Sequence, residues 1–294
     1  MLPFASVVII NYNGKEYLQK CLNALQKTIL PKHTEIVVVD DASTDGSAKM
    51  VQQKFPFAKL VVHKTNKGPT AARNTGAREV KGNDVLIFCD SDAVVEMSTI
   101  KELLILLEDR KDVALVGARV IPEGEEKMWW NFGYFPSFPR EIVGFTLGWF
   151  MKRGIFAPLL RNIAQHFVLN YADYEKSREV DWVVEKCFAV RKDVFEKVGG
   201  FDEHFFMFME GPDLCKRIKD LGWEIWYEVN AQVVALPHVT HPQKREQFFN
   251  ESEEYYHKKH SFLMRVSPPL WRLLRKLKNV SYFRLTKIGS HIIQ

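Results

Sequence analysis

Two aspartates one residue apart end an apolar run in the stretch DVLIFCDSDAVVE. The run Val85 to Cys89 is typical of a buried strand, and Asp90 and Asp92 follow it at once. In an open α/β sheet, ligands bind beyond the carboxyl ends of the strands. Carboxylates gathered there repel one another unless a cation or a donor compensates them, and the oxygens would suit Mg²⁺ or Mn²⁺. Aspartates also favour turns and helix caps, so the pair alone leaves both interpretations open.

Polar residues end two further predicted strands, at Asn11 to Asn13 and at Asp40 to Asp41. Strands alternate with helical segments through the first half of the chain, which is typical of βαβ units and a mostly parallel sheet. The helix after the first strand is predicted to take Asn13 as its N-cap, with Glu16 as the capping-box partner. The strands are predicted at Ala5–Asn11, Glu35–Asp41, Ala58–Lys64, Val85–Cys89 and Val113–Arg119, with two further strands at EIWYEV and QVVAL.

The composition is that of a globular chain, with 294 residues of which 46% are hydrophobic and 26% charged. Four widely spaced cysteines without a CxxC pair predict free thiols in a reducing compartment, not a disulfide framework or a zinc site. We expect no signal peptide and no spanning helix, because the N-terminus lacks a basic start and no segment offers about 18 consecutive apolar residues. The cysteines are Cys21, Cys89, Cys187 and Cys215.

The basic character lies in the last part of the chain. Residues 244–294 hold 11 Lys and Arg against 4 Asp and Glu, whereas the net charge of the whole chain is +5. Four leucines there share one face of a predicted basic amphipathic helix, which would suit an anionic membrane surface. The same helix could instead pack on the rest of the protein, and no nucleic-acid-binding module is recognisable. The leucines are Leu270, Leu273, Leu274 and Leu277.

Five segments in a fixed order identify a family. The first strand is followed by no GxGxxG, and GxxxxGK[ST] is absent from the sequence, which disfavours dinucleotide and P-loop binding. The chain instead carries, in order, VVIINYNG, EIVVVDDASTDGS, NKGPTAARNTGAR, LIFCDSDA and VGGFDEHFFMFMEGPDLCKRI. This series resembles the family 2 inverting glycosyltransferases, especially the rhamnosyltransferase-like branch, over about residues 5–240. The resemblance implies a GT-A fold: an α/β, Rossmann-like, mostly parallel mixed sheet flanked by helices, with a C-terminal helical extension.

The resemblance also implies a nucleotide-diphosphate sugar as the donor substrate. Tyr12 would flank the base, and Asp40 would accept a hydrogen bond from the base N–H. The segment containing Asn66 would lie along the nucleotide and diphosphate, with Gly68 permitting close approach and Arg73 a possible phosphate partner. Tyr12 could instead be a surface aromatic residue, Asn66 a loop residue and Arg73 a solvated helix residue.

A divalent cation, Mn²⁺ or Mg²⁺, is the implied cofactor. Asp90 would touch the ribose or the metal, and Asp92 would ligate the metal. Relatives often place a metal-ligating histidine after the last strand, where His238 is the nearest match and His241 the runner-up. Such a cation would neutralise the charge that develops on a diphosphate leaving group.

The general base is where this sequence departs from the family. Relatives usually supply it from E-D-x-D-L, commonly with the second acid, but this chain reads EGPDL. Glu210 is then one candidate, with Gly211 altering the path of the loop, and Asp213 is the other unless it only stabilises a helix N-terminus. A second departure is Glu185-Lys186, where relatives usually carry small residues; it could reshape the acceptor pocket or be a surface ion pair.

These observations predict an inverting, metal-assisted glycosyltransferase that acts on a glycan or lipid-linked acceptor. We expect a nucleotide-sugar-binding half at 1–120, an acceptor-binding and catalytic half at 121–243 and the basic tail at 244–294. The aromatic stretch MWWNFGYFPSFPR, residues 128–140, could stack on sugars, meet a membrane or form a local core. The protein would be cytoplasmic or peripheral on the inner face of the cell membrane. The alternatives are a sugar-phosphate nucleotidyltransferase and a scaffold that binds nucleotide without transfer.

Overall fold

The computed structural model describes residues 2–26, 34–82, 84–125, 131–135, 174–237 and 242–261, with single residues at 143, 147 and 150. Three predicted features lie outside these residues: His238 and His241, most of the aromatic stretch, and the leucine-bearing tail helix. The chain forms two compact units, residues 1–135 with 169–252 and residues 136–168 with 253–294.

Among the described residues, one nine-stranded sheet forms the centre of this unit, with the order β3-β2-β1-β4-β10-β6-β11-β5 and β8 beside β11. Neighbouring strands are parallel from β3 through β2 and β1 to β4, whereas β10 runs antiparallel to both of its neighbours, β4 and β6. The strands are β1 Ala5–Asn11, β2 Glu35–Asp40, β3 Lys59–Val62, β4 Val85–Asp90, β5 Ala93–Val95, β6 Val113–Pro122, β8 Arg178–Val180, β10 Cys187–Arg191 and β11 Glu224–Ala235. A separate pair joins β7 Phe132–Gly133 to β9 Trp182–Val183.

Helices cover both faces of the sheet, because the central strands are apolar on both sides. Val7 and Ile9 of β1 belong to one hydrophobic cluster and Val8 and Ile10 to the other, as the two-residue period of a strand requires. Helices α1, α2 and α4 pack on the first face, and α3, α5 and α6 on the second. The helices are α1 Lys15–Gln26, α2 Ser47–Lys54, α3 Gly68–Glu79, α4 Met97–Asp109, α5 Lys192–Lys197, α6 Glu210–Asp220 and α7 Pro242–His260.

The predicted mixed, mostly parallel sheet with flanking helices is therefore confirmed. All four cysteines are free and buried, as expected. The residues that the structure describes include no helix that is both long and apolar enough to cross a membrane.

Two local predictions were wrong. Helix α1 begins at Lys15, so Asn13 is not its N-cap. The Asn13 side chain instead accepts a hydrogen bond from the Thr44 amide at 2.8 Å, and Asp45 caps α1 by accepting the Lys15 amide at 2.8 Å. The stretches EIWYEV and QVVAL, predicted as two strands, belong to the single strand β11, whose pairing with β6 shifts register between Glu228 and Gln232.

Candidate active site

The carboxyl ends of β1, β2 and β4 meet at one edge of the sheet. Asn11 pairs in register with Asp40, and Ile10 pairs with Asp90. Since these three strands are parallel, their terminal polar residues stand side by side, as the sequence predicts. This edge is also where an open α/β sheet binds its ligands.

Strand β10 brings a second set of residues to the same edge. Because β10 runs antiparallel to β4 and pairs Cys187 with Cys89, the two residues before it, Glu185 and Lys186, lie beside the end of β4. The Asp90 amide donates to the Lys186 carbonyl at 3.1 Å and fixes this arrangement. The antiparallel strand thus adds a carboxylate and an ammonium to the row of aspartates.

Arg73 connects the end of β4 with the start of α6. Its guanidinium is buried, with 4% side-chain exposure, and lies 2.8 Å from Asp90 Oδ1 and 3.2 Å from Glu210 Oε1. Phe201 lies under the guanidinium at 5.6 Å. The sequence predicted a phosphate partner here, and the structure places Arg73 as an internal bridge between two carboxylates.

Lys186 is the second cation of the cluster. Its ammonium donates to Asp92 Oδ1 at 2.6 Å and Oδ2 at 2.7 Å, and lies 3.2 Å from Asp90 Oδ2. The carboxyl group of Asp90 therefore sits between Lys186 and Arg73, and these cations hold the pKa of Asp90 below its ordinary value even though burial acts in the opposite direction. The two aspartates that the sequence singled out are thus ion-paired with Lys186 and are not left to water.

The contact of Lys186 with the two aspartates bears on whether they can hold a divalent cation. Within the described ranges no three His, Cys, Asp or Glu side chains converge in a manner suited to a metal. Asp90 and Asp92 could provide two ligands, but their inward oxygens already bind the Lys186 ammonium. A divalent ion at the same oxygens would meet that positive charge at close range, so the described arrangement does not fit a metal unless Lys186 moves away. The predicted third ligand, His238, lies outside the described residues.

Glu210 begins α6 after a strained turn. Phe208 and Met209 have φ values of +69° and +62°, a region that side-chain-bearing residues rarely adopt and that often marks functional sites. Helix α7 supports the turn, because Phe248 stacks on Phe206 at 4.7 Å and Ser252 Oγ donates to the Met207 carbonyl at 2.7 Å. The turn therefore holds the carboxylate of the first helical residue at a fixed position.

The Glu210 carboxylate is only half used by the protein. Oε1 binds Arg73, while Oε2 is buried and has no hydrogen-bond partner. Burial raises the pKa of Glu210, with the guanidinium of Arg73 opposing the shift. A buried acceptor without a donor destabilises the folded protein. Buried acceptors of this kind are common in catalytic and ligand-binding groups.

Asp213 has a different environment. Its side chain is 0% exposed, and Arg217 of the same helix approaches its Oδ2 at 2.8 Å. This placement matches the helix-stabilising role that the sequence left open. A carboxylate that is enclosed in this manner is poorly situated to meet an acceptor hydroxyl.

The residues predicted to bind the nucleotide share the carboxyl edge but differ in their availability. Tyr12 is 49% exposed, beyond the end of β1. Asp40 is buried, and its oxygens accept from Asn11 Nδ2 at 3.0 Å and from the Ser43 amide at 2.8 Å. Tyr12 can therefore stack on an incoming base, whereas Asp40 would have to accept a further bond beside its internal ones.

The N-terminus of α3 is already occupied by a protein carboxylate. Asp41 accepts the amides of Lys67 at 2.9 Å and Gly68 at 2.8 Å, and Asn66 Oδ1 also accepts the Gly68 amide, at 3.0 Å. Gly68 has φ +87°, and a Cβ there would lie 2.7 Å from the Phe206 carbonyl. Protein packing thus accounts for the glycine, which the sequence assigned to close approach of the nucleotide.

The family model described as "Glycosyl transferase family 2" matches residues 6–168, more than half of the chain. This chain belongs to glycosyl transferase family 2. A curated relative is the N-acetylglucosaminyl-diphospho-decaprenol L-rhamnosyltransferase of Mycobacterium tuberculosis, 27% identical over 256 residues that cover 84% of this chain and 80% of the relative. The predicted similarity to the rhamnosyltransferase-like branch of the family is confirmed.

Solved glycosyltransferases share the fold of this family 2 member. S. aureus TarS 1-349 in complex with UDP-GlcNAc superposes with a TM-score of 0.59 at 17% identity, over 86% of this chain and 65% of that one. GalNAc-T7 with UDP, GalNAc and Mn²⁺ gives a TM-score of 0.59 at 18% identity, over 87% and 50%. At these identities the likeness establishes the fold alone, and it confirms the predicted GT-A fold.

In the sequence, Glu185 and Lys186 stand out only because relatives usually carry small residues at these positions. The structure places both in the charged cluster with Asp90, Asp92 and Glu210. Their position follows from the antiparallel pairing of β10 with β4, which local sequence does not reveal. The available signal was chemical: an adjacent acid and base, next to a buried strand, where small residues are usual.

Proposed function

We propose that this protein is an inverting glycosyltransferase that moves a sugar from a nucleotide-diphosphate donor to a hydroxyl group of a glycan or lipid-linked acceptor. The observation that carries the proposal is the charged cluster at the carboxyl edge, in which Arg73 and Lys186 join Asp90, Asp92 and Glu210. Simple turn aspartates would not require a buried guanidinium and a half-buried ammonium as partners. Membership of the family supplies the reaction class, and the cluster supplies groups suited to it.

The reaction needs charge to be balanced at two places. The acceptor oxygen bonds to the anomeric carbon of the donor while the bond from that carbon to the diphosphate oxygen breaks. The diphosphate leaves with the electron pair, and cations near it stabilise the transition state. The hydroxyl proton passes to a carboxylate, a step that typically contributes about 10²–10⁴-fold. The sequence prediction that Glu210 or Asp213 is this base stays a prediction, although the surroundings of Asp213 favour a structural role.

The donor would lie over the first half of the chain, 1–120, and the acceptor over 121–243. Exposed Tyr12 supports a base-stacking position, and Asp40, Asn66, Gly68 and Arg73 line the same edge or the helix behind it. A divalent cation bound by Asp90, Asp92 and His238 stays a prediction. If one binds, it would add Lewis-acid stabilisation of the diphosphate, and Lys186 would have to release the aspartates first.

The acceptor class rests on the relatives. The mycobacterial relative is named for a diphospho-decaprenol substrate, and TarS, 36% identical over 121 residues, for poly(ribitol-phosphate). We propose by analogy a lipid-linked or polymeric acceptor. The basic tail at 244–294 would then draw the enzyme to an anionic membrane surface from the cytoplasm, and its leucine-bearing helix is the part that would lie on the lipid.

Titration calorimetry with UDP-, dTDP- and GDP-sugars tests the donor site. We expect one nucleotide class to bind and Asp92→Ala to weaken that binding at least tenfold. The matched control is Asp193→Ala, because Asp193 is exposed on α5 at the opposite edge of the sheet. Release of nucleoside diphosphate from these donors identifies a glycosyltransferase, whereas release of pyrophosphate from a nucleoside triphosphate and a sugar phosphate identifies a nucleotidyltransferase. Binding without either product would favour the inactive scaffold.

A further inference from the structure

Gly211 and Glu185 occupy complementary space. A Cβ built on Gly211 would lie 1.7 Å from Glu185 Oε1, 2.4 Å from its Cδ and 2.7 Å from its Cγ. Real Cβ atoms are essentially never found so close to another heavy atom. The carboxyl group of Glu185 thus lies where the side chain of residue 211 would otherwise begin. The two departures that the sequence shows separately are one structural feature, in which an acid enters from the turn before β10 and α6 leaves room for it.

We propose that Glu185 is the general base of the transfer reaction; this proposal rests on the proposed function. Three acids surround the start of α6, and Glu185 differs from the other two in access and in charge pairing. Glu210 is 4% exposed and binds Arg73, and Asp213 is 0% exposed and binds Arg217. Glu185 is half-buried, and Arg73, the cation that opposes the shift of its pKa, makes its ion pairs with Asp90 and Glu210.

These differences suit the three acids to different tasks. A base must accept a proton and must be reachable by the hydroxyl that gives it up. An acid that is held by a guanidinium is a weaker proton acceptor, because the cation stabilises its charged form. Glu210 therefore serves to hold Arg73 beside Asp90, and Glu185 remains available for the proton.

The charges that face Glu185 support this assignment. Burial and the negative charge of Glu210 raise the pKa of Glu185 to about 8, with Asp90 adding to the shift and Arg73 opposing it. Burial raises the pKa of the nearby Cys215 thiol, and the negative charge of Glu185 adds to that shift. A carboxylate whose pKa lies near neutrality takes up a proton more readily than one with an ordinary pKa.

The proposed step is balanced within the active site. The acceptor oxygen forms its bond to the anomeric carbon, the diphosphate oxygen leaves with the electron pair of the broken bond, and the hydroxyl proton moves to a Glu185 oxygen. No oxidant or further reactant is needed. Water can replace the acceptor hydroxyl, so slow hydrolysis of the donor reports the same proton transfer when the acceptor is not known.

The test is donor hydrolysis and donor binding by Glu185→Gln, with Glu196→Gln on the exposed surface of α5 as the matched control. We expect a loss of about 10²–10⁴-fold in hydrolysis rate with donor affinity within about twofold of wild type. Glu185→Asp should recover part of the rate. Equal hydrolysis by wild type and Glu185→Gln overturns the base assignment alone, whereas absence of donor binding to wild type overturns the proposed function and the base with it.

A compensating pair of substitutions separates catalysis from folding. Gly211→Asp alone should displace the Glu185 side chain, because its Cβ would overlap the Glu185 carboxyl group. In the background of Glu185→Ala the same change has space, and its carboxylate enters the vacated volume. We expect the double variant to hydrolyse donor at least tenfold faster than Glu185→Ala alone. A well-folded double variant that is no faster would contradict the idea that a carboxylate at this point takes the proton.

A second inference rests on the contacts of Lys186. We infer that its ammonium is the cation that Asp90 and Asp92 hold against the donor's diphosphate, in the place where a divalent ion was predicted. Three oxygens of the two aspartates lie within 3.2 Å of Lys186 Nζ. The Lys186 side chain keeps 27% exposure and so can reach a donor that binds at the carboxyl edge.

Donor binding in the presence of a chelator tests this inference. With EDTA we expect wild type to keep its donor affinity within about twofold, since the cation is part of the chain. Lys186→Met should lose at least tenfold in affinity, which is about 1.4 kcal/mol, and should regain it when Mn²⁺ is added; exposed Lys197→Met on α5 is the control. Loss of wild-type binding in EDTA, with recovery in Mn²⁺, overturns the inference and supports a metal bound by Asp90 and Asp92.

Discussion

Arg73 Nη1 and Glu210 Oε1 lie 3.2 Å apart, although 137 positions separate the residues in the chain. Arg73 belongs to helix α3 in the predicted donor half, and Glu210 begins α6, the helix that carries the EGPDL motif. Their contact joins the two halves of the active site through side chains that are both almost completely buried. Asp90 extends the connection to the end of β4.

Arg73→Met should destabilise the fold more than any loss of packing explains. Removing one partner of a buried ion pair leaves an uncompensated charge and typically costs about 3–5 kcal/mol. Here two acids, Asp90 and Glu210, would lose a partner at once. Urea unfolding measures the free energy. The control is Arg78→Met on the same helix, whose side chain is 64% exposed and should change stability by about 0.5 kcal/mol or less. A small effect at Arg73 would contradict the structural bridge.

Asp213→Asn should reduce stability and leave the chemistry largely intact. Asp213 is enclosed and paired with Arg217, so the substitution removes a charge-assisted contact worth about 1–3 kcal/mol. Donor affinity and hydrolysis rate should stay within about threefold of wild type when measured on folded protein. A loss of about 10²-fold or more in rate at unchanged donor affinity would restore Asp213 as a candidate base.

The sheet was accessible from the sequence because its signals are local. Runs such as VVII and EIVVVD are apolar on both faces, and parallel central strands have this pattern. The polar residues that end these runs indicated where the carboxyl edge of the sheet lies, and the order of the family motifs along the chain agreed with the predicted strands. Strand boundaries differ from the prediction by one to three residues, as at β3 and β6.

The charge pairing inside the site could not be predicted in the same way. Lys186 reaches Asp92 because β10 returns antiparallel to β4 after 94 residues. Asp45 caps α1 from a distant loop, so a nearby asparagine was mistaken for the cap. Each contact depends on how strands and loops meet in three dimensions, and no short-range spacing encodes it.

Gly68→Ala should destabilise the protein for a reason unrelated to the donor. Its backbone has φ +87°, and a Cβ would press on the Phe206 carbonyl at 2.7 Å. Strain of this kind typically costs about 1–3 kcal/mol. Thermal unfolding without ligand measures it, and Gly82→Ala provides a control with positive φ but open space around its Cβ. Equal losses at both positions would mean that backbone conformation alone, and not the Phe206 contact, accounts for Gly68.

Glu185 makes stability depend on pH in a specific direction. Its pKa is raised from 4.5 to about 8 in the folded protein, so between these values the native state binds more protons than the unfolded chain. The free energy of unfolding therefore falls as pH rises through this window. Glu185→Gln carries no such proton, and its stability relative to wild type should increase by about 1–3 kcal/mol between about pH 5 and pH 8. Urea unfolding at several pH values measures the difference, and Glu196→Gln should show no such trend. A difference that is flat or decreases with pH would mean that the Glu185 carboxylate ionises freely in the folded state, which would contradict its placement against Glu210.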